Sequence, residues 1–139
     1  MISRSDYFAA KLAYETDPAD VHAARTAGEQ LVVIDVRSSE AWTQGRVTGA
    51  VHMHHSEIAA RAPQEISPDA EVVVYCWSPG CNGGTRGAAE FASLGYRVRE
   101  MIGGFEYWVR EGYPVEDADG VHHRPVDPLT GIPRIRTRA

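Results

Sequence analysis

The sequence predicts an α/β fold: a central, mostly parallel sheet with helices on both faces. Three observations predict it. Leu31-Val32-Val33-Ile34-Asp35 and Val72-Val73-Val74-Tyr75 are continuous apolar runs, as expected of strands buried on both faces. Helical patterns alternate with such runs along the chain, and that alternation implies parallel strands joined by crossover helices. Glycine and proline fall between the patterns, where turns belong.

Each element follows in order. Residues 5–16 read as an amphipathic helix, with Phe8 and Leu12 on one face and Tyr7 and Tyr14 close to it. Asp17 then serves as an N-cap, Pro18 as the first helical residue and Asp20 as a first-turn acid. Gly28 stops that helix. The strand Leu31–Asp35 comes next. Ser38 or Ser39 caps a short helix ending near Gly45. Ala50 to Met53 reads as a short strand and 56–61 as a short helix. After the strand from Val72 to Cys76, a helix is expected from about Gly84 to Leu94, with Gly95 as its stop. Arg97 to Met101 is a third clear strand, and 104–111 a last helix ended by Gly112-Tyr113-Pro114.

Composition bounds the partners. The chain has 139 residues, 43% of them hydrophobic and 24% charged, which suits one domain with a real core. A formal net charge of −5 argues against nucleic acid or an anionic membrane as partner. The longest apolar stretches are strand-sized, so no membrane span is expected. Met1-Ile2-Ser3-Arg4-Ser5-Asp6 lacks the charged-then-apolar order of a secretory signal. Two cysteines, five positions apart, are too few for a disulfide scaffold, and a reducing cytoplasm is the expected location.

Cys76 is the candidate nucleophile. It ends a buried strand and opens the glycine-rich stretch Trp77-Ser78-Pro79-Gly80-Cys81-Asn82-Gly83-Gly84-Thr85-Arg86, which runs into an alanine-rich helix. Backbone N–H groups at such a helix N-terminus favour negative charge, so they favour the thiolate and hold an anion beside it. Gly80, Gly83 and Gly84 would let the backbone curl with positive φ and approach that anion. In an open α/β sheet, ligands bind outside the carboxyl ends of the strands, and Asp35-Val36-Arg37 sits at a second such end.

The ordered set Ile34-Asp35-Val36-Arg37, Glu40, Trp42, Gly45-Arg46-Val47-Thr48-Gly49-Ala50, the cysteine loop, Gly95-Tyr96, Gly103-Gly104, Trp108 and Gly112-Tyr113-Pro114-Val115 resembles a single rhodanese-like domain. The resemblance covers 17–115, leaving 1–16 as an N-terminal helical extension and 116–139 as an extended tail or wrapping arm. It implies a rhodanese-like α/β fold, a persulfide-forming cysteine and sulfur transfer from a donor such as thiosulfate. Two departures stand out. Cys76 lies ten positions before Arg86, so the loop is longer than the family's usual one. Cys81, in contrast, stands at the family's cysteine-to-arginine spacing from Arg86, which makes it a second candidate. Placing the nucleophile there would shorten the helix and strand Cys76 without a role, so Cys76 is preferred. Arg46 also stands where the family commonly has histidine.

The remaining residues carry plainer readings. Cys81 either resolves a persulfide or pairs with Cys76, or is a loop residue without redox role. Arg86 could neutralise a bound sulfonate or stabilise the thiolate. Asp35 and Arg37 read as a structural ion pair that orients a strand-end loop. Trp77 either shapes the pocket wall or covers the core, and Trp108 is core. His52, His54, His55, His122 and His123 read as solvent-exposed side chains, with no metal site among them. The run from Arg134 to Arg138 reads as a solvated tail.

The expected activity is therefore sulfur transfer, with an anionic sulfur donor, a thiol or cyanide-like acceptor, and no metal or organic cofactor. Two rivals use the same framework. A phosphatase or arsenate-reductase relative would exploit the longer loop, although Trp77 to Thr85 offers neither arginine nor acid. A non-enzymatic persulfide carrier or binding module would keep the fold alone.

Overall fold

In a computed structural model, residues 1–132 are described; the run Arg134 to Arg138 lies outside them. The chain runs α1 (Arg4–Tyr14), β1 (Glu15–Thr16), α2 (Pro18–Thr26), β2 (Leu31–Asp35), α3 (Ser39–Gln44), β3 (Arg46–Val47) and β4 (Val51–His52). A 3₁₀ turn at His55–Glu57 leads into α4 (Ile58–Glu65), then β5 (Glu71–Tyr75), α5 (Gly83–Ser93), β6 (Arg97–Met101), α6 (Gly104–Arg110), β7 (Val115–Asp117) and β8 (Gly120–His122).

The caps follow from side-chain chemistry. Asp17 Oδ1 accepts from Asp20 N at 2.8 Å with Pro18 opening α2. Ser38 Oγ accepts from Ala41 N at 3.2 Å at the start of α3. Both caps satisfy N–H groups that the helix leaves without an internal partner.

Five parallel strands form the central sheet, in the order β1-β6-β5-β2-β4. The fold class is the expected one. A second, antiparallel sheet joins β3, β7 and β8. Alternation along β5 splits the core in two. Val72 and Val74 face Ile34, Met53, Ile58 and Phe91 on one side. Val73 and Tyr75 face Val21, Met101 and Trp108 on the other. The apolar runs of β2 and β5 are therefore two-sided burial, not a one-sided face.

The first helix differs from expectation. Its apolar residues cover nothing: Phe8 is 57% and Leu12 86% exposed, and α1 buries no residue. The helix also ends at Tyr14, where the backbone extends into β1 and pairs with β6. A helical period identifies a face but not what covers it. Here backbone pairing at the sheet edge does the docking.

A buried polar network closes the carboxyl edge of the sheet. Asp35 and Arg37 are 0% and 3% exposed. Arg37 Nε and Nη2 donate to the Asp35 carboxylate at 3.0 and 2.7 Å, and Arg37 N donates to Oδ1 at 2.9 Å. Arg37 Nη2 also donates to Gly45 O at 2.6 Å. Tyr75 OH donates to Asp35 Oδ2 at 2.6 Å and accepts from Val47 N at 3.1 Å. Burial, and then the Asp35 charge, hold the Tyr75 phenol well above its usual pKa, so it stays a donor.

Two stability predictions follow from this network. Tyr75→Phe leaves Val47 N without its acceptor and should cost about 1–3 kcal/mol. Arg37→Met leaves a buried carboxylate unpaired and should cost more, about 3–5 kcal/mol. Urea unfolding of both variants checks the order. Equal stability of wild type and Arg37→Met would show that the pair has no structural weight.

Candidate active site

Cys76 directly follows β5, the middle strand of the sheet, and is 8% exposed. Two helices close on it. From one side α6 docks by its first turn: Phe105 N donates to Cys76 O at 2.9 Å and Glu106 N to Trp77 O at 2.8 Å. This approach requires Gly104, whose φ is 64° and whose added Cβ would lie 2.7 Å from Cys76 O. From the other side comes the N-terminus of α5. A Cβ at Gly83 would meet Cys76 Sγ at 2.7 Å; one at Gly84 would meet Glu100 Oε2 at 2.9 Å and Cys76 N at 3.6 Å.

These distances correct the role expected of the loop glycines. Gly80, Gly83 and Gly84 do not adopt positive φ; the positive values near the site belong to Gly103 and Gly104. Gly83 and Gly84 are glycine because they leave space, and the sulfur and the Glu100 carboxylate occupy it.

Cys81 is bonded to Cys76, with a Cα–Cα distance of 6.4 Å. Of the readings open for Cys81, this geometry matches its pairing with Cys76. The local cause is a turn over Ser78-Pro79-Gly80-Cys81, closed by Cys81 N donating to Ser78 O at 3.0 Å. Pro79 presets the second position of that turn. The chain is thereby folded back so that the second sulfur lies over the first.

Both cysteines line an open cavity of about 620 Å³. Ser78, Pro79, Gly80, Asn82 and Thr85 also border it, as expected of the loop. The opposite wall is acidic. Glu15, Asp17, Glu100 and Glu111 line it, and among the described lining residues Lys11 is the only cation. Lys11 pairs with Glu15 at 2.7 Å. Thr85 Oγ1 donates to the Glu100 carboxylate at 2.9 Å. Burial raises the Glu100 pKa, the Thr85 hydrogen bond opposes the rise, and the Glu15 charge adds to it. Burial raises Glu111 too, with help from Asp17. Sequence reasoning missed these carboxylates. Glu100 could have been found only from the strand order, which places β6 beside β5.

The other expected residues are placed as follows. Trp77 is 42% exposed and stands off the cavity of the cysteines. Arg37 Cζ lies 4.4 Å from the ring centres of both Trp77 and Phe105, so the guanidinium sits in the corner these two rings make at 75° to each other. Asp35 and Arg37 do not reach the cavity; they act on the loop through those rings. Arg86 lies exposed on α5 outside the cavity, where its charge lowers the His55 pKa after burial and His54 have done so. His52 is half-buried rather than exposed: it stacks on Trp42 at 5.1 Å, and Nε2 donates to Arg37 O at 2.8 Å. His54 and His55 are half-buried too, whereas His122 and His123 are exposed. Among the described residues no cluster of metal-ligating side chains occurs, and no helix is long and apolar enough to cross a membrane.

The chain is similar to known proteins in sequence and in fold. The pattern of the rhodanese-like domain family matches residues 17–111. A protein named thiosulfate sulfurtransferase GlpE from Pseudomonas entomophila is 34% identical over 93 residues, covering 66% of this chain and 82% of that protein. Its namesake from Actinobacillus succinogenes is 37% identical over 95 residues, covering 67% and 82%. A crystal structure of a Bacillus halodurans protein superposes with a TM-score of 0.77 at 39% identity, covering 84% of this chain and 85% of that one. A family pattern across most of the chain and relatives above 30% identity lead to one conclusion: the chain belongs to the rhodanese-like domain family.

Proposed function

We propose that the protein is a sulfurtransferase in which Cys76, with the Cys76–Cys81 pair reduced, takes sulfur from thiosulfate or a similar anionic donor. Family membership supports sulfur transfer at the level of the family. The observation that carries the assignment to Cys76 is its position: directly after the central strand, against the N-terminus of the eleven-residue helix α5, and open to a cavity. There the helix dipole and the first-turn N–H groups favour an anionic sulfur.

The chemistry needs few parts. The Cys76 thiolate attacks the outer sulfur of thiosulfate, the S–S bond breaks, and sulfite leaves with the bonding pair. Sulfite departs without protonation, so no general acid is required. A thiol or cyanide-like acceptor then takes the outer sulfur from the persulfide, which makes the kinetics ping-pong. A phosphatase reading is disfavoured, because a bound phosphate would face Glu15, Asp17, Glu100 and Glu111 with Lys11 already paired.

The same wall sets an electrostatic cost on thiosulfate. A like charge a few ångströms from a dianion in a wet site costs on the order of 1 kcal/mol.

Two predictions test the reading. Cys76→Ser should abolish sulfur loading from thiosulfate, seen as one added sulfur atom by intact-protein mass spectrometry, while Cys81→Ser should still load. Loading that survives in Cys76→Ser and vanishes in Cys81→Ser would move the nucleophile to Cys81.

Glu100→Gln should raise kcat/KM for thiosulfate roughly three- to tenfold at neutral pH. Its sign with pH is fixed by the raised Glu100 pKa. As pH falls through that range, wild-type Glu100 takes up a proton and loses its charge. The ratio of variant to wild-type rate should then shrink toward unity. A ratio independent of pH would show that Glu100 acts through packing, not charge.

A further inference from the structure

Five features of the loop concern Cys81 rather than Cys76. Cys81 is covalently paired with Cys76. A closed turn, Ser78 to Cys81, returns it over the strand end. Gly83 vacates the space the two sulfurs fill: its added Cβ would stand 2.7 Å from Cys76 Sγ and 3.5 Å from Cys81 Sγ. Both residues line the same cavity. Cys81 is only partly buried, so a thiol can reach the pair from solvent. A cysteine held this way is a neighbour to whatever Cys76 becomes.

We propose that Cys81 is a catalytic residue that resolves the Cys76 persulfide, releasing the transferred sulfur as hydrosulfide and closing the Cys76–Cys81 disulfide. This rests on the sulfurtransferase reading above and adds an activity to it: thiosulfate reduction at the expense of a thiol reductant.

The step balances. Cys76 carries an outer sulfur bonded to Sγ. The Cys81 sulfur attacks Cys76 Sγ, the inner atom; the Sγ–S bond breaks and its electron pair leaves with the outer sulfur. The proton from the Cys81 thiol goes to the departing atom as hydrosulfide. The outer sulfur is reduced and the two cysteines are oxidised to a disulfide. A dithiol, the reductant class the cycle requires, then reduces that disulfide by thiol–disulfide exchange and becomes a disulfide itself. The sum is thiosulfate plus dithiol giving sulfite, hydrosulfide, one proton and the oxidised dithiol.

Geometry and charge both favour the step. Attack from five residues away within one loop is intramolecular and needs no encounter. Hydrosulfide is a better leaving group than a cysteine thiolate, so exchange at the inner sulfur runs toward its release. The acidic wall of Glu15, Asp17, Glu100 and Glu111 then disfavours retention of an anion beside the pair.

A single turnover without reductant tests this. Full-length protein is reduced, freed of reductant under anaerobic conditions, and mixed with one equivalent of thiosulfate. Sulfide is measured colorimetrically and the chain by intact mass. Wild type should release close to one sulfide per chain and lose two hydrogens. Cys81→Ser and Cys81→Ala should load sulfur, retain it, and release sulfide at least roughly a hundredfold more slowly, the scale of an intramolecular advantage. Their loading itself reports that they fold. Cyanide should still remove the retained sulfur from both. A wild-type chain that keeps its persulfide beside a free Cys81 overturns the inference and leaves the sulfurtransferase reading intact. A disulfide that forms without sulfide overturns it too, since the pair would then be oxidised independently of sulfur transfer. Failure of wild type and both variants to load from thiosulfate removes both readings.

Discussion

The fold of the site depends on a carboxylate that no solvent reaches. Asp35 is 0% exposed, and an unpaired charge there would cost several kcal/mol. Its oxygens are instead met by Arg37 N, Nε and Nη2 and by Tyr75 OH. Each of those donors fixes something else. Tyr75 OH holds Val47 N and so the start of the second sheet. Arg37 Nη2 holds Gly45 O at the end of α3. The guanidinium face holds Trp77 and Phe105, and Phe105 N holds Cys76 O. A continuous set of contacts thus leads from Asp35 to the cysteine. Such a pair adds little stability over apolar residues of the same shape, because desolvation offsets the attraction. What it adds is a single arrangement of β2, β3, β5 and the loop.

Most of that framework was legible in the sequence. The two-sided runs of β2 and β5 announced buried parallel strands, and Asp17, Pro18 and Ser38 announced helix starts. Asp35 and Arg37 were legible as a pair because two opposite charges flank the end of a buried strand. The place of Cys76 at a strand end was legible because the apolar run stops there and glycines follow. What escaped was whatever depends on neighbours distant in the chain. The two-residue β1 has no period of its own; it exists because β6 offers it hydrogen bonds. The exposure of Phe8 and Leu12 could not be read from their spacing. A pairing of Cys81 with Cys76 was legible as one of several readings; the Ser78–Cys81 turn and the space at Gly83 that accommodate it were not. The acidic wall needed the strand order.

The chain's charge illustrates the same limit. A net charge of −5 over 139 residues is unremarkable as a total. The sheet edge gathers four carboxylates of that excess around one cavity while Arg86, the nearest cation in sequence, points elsewhere. The total charge therefore did not foretell a local field beside the cysteines. The field arises from register: Glu15 on β1 stands opposite Glu100 on β6, two acids on neighbouring strands.

Like charges directly across strands destabilise a sheet. Here Lys11 offsets part of that cost through its pair with Glu15, and Thr85 binds Glu100. The arrangement also draws on segments that the family pattern does not include. Lys11 and Glu15 precede the matched region, which begins at residue 17. Cys81 lies on the loop between β5 and α5, inside the matched region. Cys81 and these N-terminal residues line the same cavity, the first bringing a second sulfur and the others a carboxylate with its paired lysine. On the sulfurtransferase reading proposed above, a persulfide at Cys76 needs neither. On that reading both bear on what happens to the sulfur next: the thiol would displace it, and the carboxylates would raise the cost of holding it as an anion. In the proposed cycle the position of Cys76 thus serves capture of the sulfur, and Cys81 with the acidic wall serves its release.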